Sequence, residues 1–191
     1  MKSIKIFFSA ILFIGSLGFA APSQESLPGP LVIEEFADFE CVYCAQGNET
    51  MKAISDHYRD KIKLVFRNFP LSFHKYSLLA AKAYTAITLQ DQLLAQRWRN
   101  RIFENQRRLK EEGETFVFEV ATQVGVDLET MKKDMASTVV DQMIEQDRKR
   151  AEELGFKGTP SFLIGSERVQ GTRSFEEFKN IIDQQLAPKT P

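Results

Sequence analysis

The sequence predicts an α/β chain in which a strand–helix–strand unit and a closing hairpin with its helix are separated by an all-helical insertion. Three observations carry this. Two apolar runs, Leu31–Phe39 and Ile62–Phe69, flank a helical stretch, and a strand, a helix and a strand in that order make a parallel pair. Residues 71–154 show no strand pattern. Strand signals return at Ser161–Ile164 and Glu167–Gln170 around Gly165-Ser166, the spacing of a two-residue hairpin.

In chain order, Lys2 and Lys5 precede the uncharged run Ile6–Leu17 and the small residues Gly18 and Ala20. These are the parts of a secretory signal peptide over 1–20, cleaved after Ala20. The run is shorter than the roughly 20 apolar residues of a spanning helix, which disfavours a membrane-anchored form. The mature chain is therefore expected in an oxidising compartment, the periplasm or the exterior. Residues 21–30, with Pro22, Pro28, Gly29 and Pro30, read as a tether. A first helix spans Cys41 to about Tyr58, and Pro70 stops the second strand. Within the insertion, Ser77–Gln90 is rich in Ala and Leu, and Gln92–Leu109 is basic and helical. Thr115–Val124 ends at Gly125, and Asp127 caps a helix through Met135. Thr138 and Asp141 form a capping-box pattern for a last helix ending at Leu154 before Gly155. After the hairpin, Ser174 and Glu177 form a second capping box. Phe175, Phe178, Ile181, Ile182 and Leu186 then line one helix face. The main domain is thus 31–70 with 155–187, and the insertion 71–154.

Hydrophobic residues make up 43% of the 191, enough for a real core. Lys plus Arg number 25 against 26 Asp plus Glu, so there is no basic footprint for nucleic acid. Two cysteines and two histidines exclude a multi-disulfide scaffold and a four-cysteine zinc site.

Both cysteines lie in Cys41-Val42-Tyr43-Cys44, after the first strand and at the opening of the first helix. A helix N-terminus presents free N–H groups and the positive end of the macrodipole, which stabilises a thiolate and lowers its pKa. Cys41, nearest that end, is expected to be the exposed nucleophile. Cys44, about one turn inward, is placed to attack a mixed disulfide. Three other readings compete. As a structural disulfide, a four-residue loop contributes only about 2 kcal/mol, against about 4.7 for a 100-residue loop. A zinc site would need His57 and His74 as the remaining ligands. A Cys–His protease would not need Cys44 and would need an orienting group that the sequence does not signal.

The strand Val32–Phe39, the Cys41–Cys44 motif and Gly158-Thr159-Pro160-Ser161-Phe162 before a hairpin resemble a thioredoxin-fold oxidoreductase. The helical insertion narrows the resemblance to the DsbA-like thiol:disulfide oxidoreductases. Phe66-Arg67-Asn68-Phe69-Pro70-Leu71, His74, Ala80-Ala81-Lys82-Ala83 and Phe103-Glu104-Asn105-Gln106 resemble a subgroup of them. The resemblance spans about 31–185. It implies a thioredoxin fold with Cys41 as nucleophile and Cys44 as resolving cysteine of a redox-active disulfide. It also implies a cis-proline at Pro160 beside them and a substrate-pairing backbone at Thr159. Val42 and Tyr43 stand where the family often has Pro and His, in the stretch that faces a client, so one source of thiolate stabilisation is missing.

Leu31, Ile33, Glu35, Ala37 and Phe39 share one strand face by the period of two. Four are apolar, which puts Glu35 on a covered face where its pKa rises and where it relays the proton of Cys44. A bulged strand would instead leave it solvated. Glu34, Asp38 and Glu40, on the other face, read as surface or active-site rim. His57 reads as a helix-surface histidine and His74 as a loop histidine. Arg97, Arg99, Arg101, Arg107, Arg108 and Lys110 read as a solvated helix face. Phe36, Phe39, Phe69 and Phe73 are candidates for an apolar client groove. The expected activity is disulfide donation to, or exchange with, reduced or misfolded secreted clients by a monomer, with a membrane redox partner restoring the disulfide. No cofactor and no metal are implied. A reductase or isomerase held reduced, and a binding module with incidental cysteines, are the rivals.

Overall fold

The structure, a computed structural model, describes residues 29–187. The signal segment at 1–20 and most of the tether lie outside the described residues. Four strands form one mixed sheet in the order β2-β1-β3-β4: β1 Leu31–Ala37, β2 Ile62–Asn68, β3 Ser161–Ile164 and β4 Glu167–Gln170. β1 pairs parallel with β2 and antiparallel with β3, and β3 with β4 antiparallel. The expected hairpin turns at Gly165, whose φ of 60° suits a residue without a Cβ.

Helix α1 (Val42–Tyr58) connects β1 to β2. The insertion holds α2 (Ser77–Gln90), α3 (Gln92–Glu104), α4 (Gln106–Glu112), α5 (Glu114–Val124), α6 (Leu128–Met135) and α7 (Thr138–Glu153), and α8 (Phe175–Leu186) closes the chain. The single basic helix expected over Gln92–Leu109 is broken at Asn105, whose φ of −123° leaves the helical region. Its side-chain amide donates to the Arg101 carbonyl at 3.0 Å instead. The cap of α7 is Ser137, which accepts from Val140 N–H, and not Thr138. The α8 capping box is formed as expected. Leu186, the last residue of α8, is exposed rather than buried on that face. At the α4–α5 junction Gly113 has φ 55°, and a Cβ there would lie 2.5 Å from the Tyr76 ring, so only glycine fits.

The core has three parts. Ile33, Met51, Ile54, Phe162, Ile164, Phe178 and Ile182 fill the space among the sheet, α1 and α8. Phe36, Phe69, Ala151 and Phe156 cover part of the opposite sheet face. The largest cluster belongs to the insertion, yet it includes Ala37, Phe39, Cys41 and Cys44. Phe39 is its hub, with its ring 5.1 to 5.8 Å from those of Phe66, Tyr84, Trp98 and Phe103. The turn carrying the cysteines therefore lies in the seam between sheet and insertion.

Candidate active site

β1 ends at Ala37, and the chain turns through Asp38–Glu40 into α1, with Cys41 as its N-cap. Cys41 N–H donates to the Asp38 carbonyl at 3.1 Å, and Cys44 N–H to the Cys41 carbonyl at 3.0 Å. No side chain caps this helix, so its first N–H groups remain free to act on the Cys41 sulfur. Both cysteines are thiols here. Cys41 is 8% exposed and Cys44 0%. Cys41 is the more accessible of the two, but it is more covered than the sequence suggests, because the insertion packs on the turn.

The Cys41 thiol is lowered to about 6, chiefly by its hydrogen bond with the Cys44 side chain. Burial opposes this, while the Thr159 side chain and the N–H groups of Cys44 and Tyr43 assist it. The neighbouring thiol thus outweighs the helix terminus that the sequence alone brings to mind. Burial pushes the Cys44 thiol far up, and its Cys41 neighbour adds to the rise. One sulfur is therefore an anion near neutral pH, and the other is held as a proton donor beside it.

The Thr159–Pro160 peptide bond is cis. The Cys41 thiol donates to the Thr159 carbonyl at 3.4 Å, across 118 residues of sequence. Pro160 also lies against α1, since a Cβ on Gly47 would sit 3.8 Å from its Cγ. Val42 and Tyr43 project outward, Tyr43 with 62% exposure. Glu35 is fully buried, and neither carboxyl oxygen has a hydrogen-bond partner. Burial raises its pKa, and the positive charge of Arg99 lowers it.

Several expectations fail, those on β1 and the turn after it because both faces of the strand are covered. Glu34, Asp38 and Glu40 are buried rather than at the rim. Arg67 (2.8 Å) and Arg150 (3.1 Å) hold the Glu34 carboxylate. Tyr76 N–H donates to that of Glu40. Asp38 accepts from Glu40 N–H and Leu71 N–H, each at 2.7 Å, and from the Ser77 hydroxyl. His74 Nδ1 lies 3.0 Å from the same carboxylate. Arg99 is buried over the Phe66 ring and is not on a solvated face. Of the four phenylalanines proposed for a client groove, Phe36, Phe39 and Phe69 are core. Only Phe73 is open, at 77% exposure.

Two residues of the site were given no part in its chemistry by the sequence. Asp38 N–H lies 3.5 Å from the Cys44 sulfur, and its carboxylate pins the Leu71–Ser77 segment beside the cysteines. Gln106, freed for this by the break at Asn105, donates from Nε2 to the carbonyls of Phe39 and Cys41, each at 2.8 Å. The Phe103–Gln106 run signalled membership of a subgroup, but nothing local signalled this clamp.

The thioredoxin family model matches residues 27–184. The probable disulfide bond formation protein D of Bacillus cereus is 31% identical, over 90% of this chain and 83% of that protein. A solved thioredoxin-like oxidoreductase from Silicibacter pomeroyi has a TM-score of 0.70 at 28% identity, covering 82% of this chain and 86% of that one. A Na(+)/H(+) antiporter NhaA of Herminiimonas arsenicoxydans also matches, at 28% identity over 79% of this chain, but the chain spans only 24% of its length. With the cysteine pair at the α1 terminus and the helical insertion in place, the chain belongs to the thioredoxin family, among its DsbA-like protein thiol:disulfide oxidoreductases.

Proposed function

We propose that this oxidoreductase works outside the cytoplasm and passes the Cys41–Cys44 disulfide to reduced client proteins. The observation that carries the reading is the asymmetry of the pair, with Cys41 lowered to about 6 and Cys44 held protonated. A stabilised Cys41 thiolate is a good leaving group and favours the reduced enzyme, which makes the disulfide oxidising. A client thiolate attacks Cys41 of the disulfide, and Cys44 leaves and takes up a proton. The client's second thiolate then attacks the client sulfur of the mixed disulfide. The client disulfide forms, and Cys41 leaves as the thiolate.

Around the pair, the Thr159 backbone offers hydrogen bonds to an extended peptide, with Pro160 adding no competing N–H. Exposed Val42, Tyr43 and Phe73 give it apolar contacts. Glu35 serves as the buried group that exchanges a proton with Cys44. Among the described residues no helix is long and apolar enough to cross a membrane. The expected secretory start fits a periplasmic setting, with a membrane oxidase restoring the disulfide.

The test compares reactivation of reduced and of scrambled ribonuclease by the intact protein, Cys41→Ser and Cys44→Ser. The proposal expects rapid oxidation of the reduced substrate, no activity for Cys41→Ser, and trapped mixed disulfides for Cys44→Ser. Activity on scrambled substrate alone would replace donation by isomerisation. Equal activity of Cys41→Ser and the intact protein would make the cysteines incidental.

A further inference from the structure

Buried polar atoms without protein partners are few in folded proteins, and ordered water satisfies most of them. Here several belong to β1, α1 and α3. They are both oxygens of Glu35, both polar atoms of the Asn48 amide, Arg99 Nε and Asn100 Oδ1. Asn48 follows Cys44 by four residues on α1 and shares its face. Glu35 on β1 is in register with Phe66 of β2, and the Arg99 guanidinium lies 5.1 Å from the centre of that Phe66 ring. Arg99 and Asn100 of α3 also line a cleft of about 190 Å³, whose other walls include Met51 and Ser55 of α1 and Leu64 of β2. Arg99 thus reaches from the surroundings of Glu35 to a surface cleft between α1 and α3, and Asn48 lies on the face of α1 that carries Cys44.

We propose that Arg99, reaching in from the insertion, is a positioning residue that sets the charge state of Glu35, and that hydrated Asn48, Arg99 and Asn100 carry the Cys44 proton between Glu35 and the cleft. This rests on the reading of Glu35 given above. The raised pKa of Glu35, opposed by Arg99, agrees with it. The titratable groups that act on or with Glu35 are Tyr84 from α2 and Arg99 from α3. The residues paired with it on β2 and β3 are Phe66 and Phe162. Of these groups only Arg99 brings a positive charge, so it alone favours the ionised carboxylate.

The step is followed during oxidation of the reduced protein by glutathione disulfide. Cys41 first attacks the oxidant, forming a Cys41–glutathione disulfide and releasing one glutathione thiolate. The Cys44 S–H bond then breaks, and its proton passes to the Glu35 carboxylate. The Cys44 thiolate attacks Cys41, the Cys41–Cys44 bond forms, and the second glutathione leaves as thiolate with the electron pair. Acid quenching and mass spectrometry of the mixed disulfide give the rate of this second step at each pH.

Arg99→Gln should move the inflection of that rate upward by about one unit, the effect of removing one nearby opposite charge, and Arg99→Lys should restore it. Asn48→Leu replaces an unpaired buried amide by an apolar group of similar size. It should leave the melting temperature unchanged or raised, while slowing the second step about tenfold, within the range of a positioned proton-transfer group. A uniform loss of rate in Arg99→Gln without a shifted inflection, or a lower melting temperature with full second-step rate in Asn48→Leu, would show a packing role and overturn the proposal. Glu35→Gln separates the two readings. If it slows the second step while Arg99→Gln superimposes on the intact protein, the role of Arg99 falls and that of Glu35 stands. If it leaves the second step unchanged, the reading of Glu35 falls with it.

Discussion

The charge on Cys41 can be followed quantitatively. A thiol with a lower pKa in the folded protein binds fewer protons there than in the unfolded chain. Its contribution to the stability of the reduced form is therefore full above the unfolded pKa and is lost as pH falls through the folded one. With a folded value of about 6 and an unfolded value of about 8.5, the contribution is near zero at pH 5, about 1.4 kcal/mol at pH 7, and approaches about 3.4 kcal/mol well above pH 8.5. The disulfide form has no such thiol. Urea unfolding of both forms should show the stability gap shifting in favour of the reduced form by about 1.4 kcal/mol between pH 5 and pH 7, which corresponds to about 30 mV in reduction potential.

The cause is tested by Cys44→Ala. A hydrogen bond to an ionised group contributes about 1.5–3 kcal/mol, so its loss should raise Cys41 by about one to two units, to about 7–8. Thiolate absorbance at 240 nm against pH reads this directly, because Cys44 stays protonated in the intact protein and is absent from the variant. If Cys44→Ala still titrates near 6, the helix terminus and Thr159 carry the effect and the Cys44 thiol does not. If the intact protein titrates near 8.5, the asymmetry behind the donor reading is gone.

Three further outcomes follow from the packing. Asp38→Ala strips the partner from two backbone N–H groups and the Ser77 hydroxyl. It should cost about 3 kcal/mol in urea unfolding, and a loss below 1 would mean that the Leu71–Ser77 segment is held by other contacts. Phe39→Ala empties the centre of the aromatic cluster and should cost about 3–5 kcal/mol in the same assay. Gln106→Ala releases the carbonyls of Phe39 and Cys41. It should cost about 1–2 kcal/mol and speed amide hydrogen exchange in the turn before α1; unchanged exchange there would show that the clamp is dispensable.

The period of two on β1 was enough to place Glu35 inside, because Ile33, Ala37 and Phe39 around it are apolar and the strand does not bulge. The same period misplaced Glu34, Asp38 and Glu40. A carboxylate can be buried when distant groups satisfy it, and here those groups are 33 to 116 residues away: Leu71 for Asp38, Tyr76 for Glu40, Arg150 for Glu34. No local window holds both members of such a pair. Arg99 escaped for the mirror-image reason. Its neighbours Arg97 and Arg101 do read as a solvated face, and only the approach of α3 to Phe66 and Glu35 turns this one arginine inward. The cysteine pair was legible because its chemistry depends on spacing and on a helix terminus, both local. The nearness of Thr159 and Pro160 to it was carried by resemblance, and spans 118 residues in the fold.

Strand patterning divides the chain at 70 and 155, but the packing does not respect that division. Ala37, Phe39, Cys41 and Cys44 lie in the core of the insertion, and Gln106 fixes the two carbonyls that frame the nucleophile. Removing the insertion would leave the redox turn without its hydrophobic support and two carbonyls without their donor. The insertion therefore shapes the site as directly as the sheet does: the sheet sets the end of β1 and the position of Thr159, while the insertion sets how far Cys41 is exposed and brings Arg99 to the buried acid.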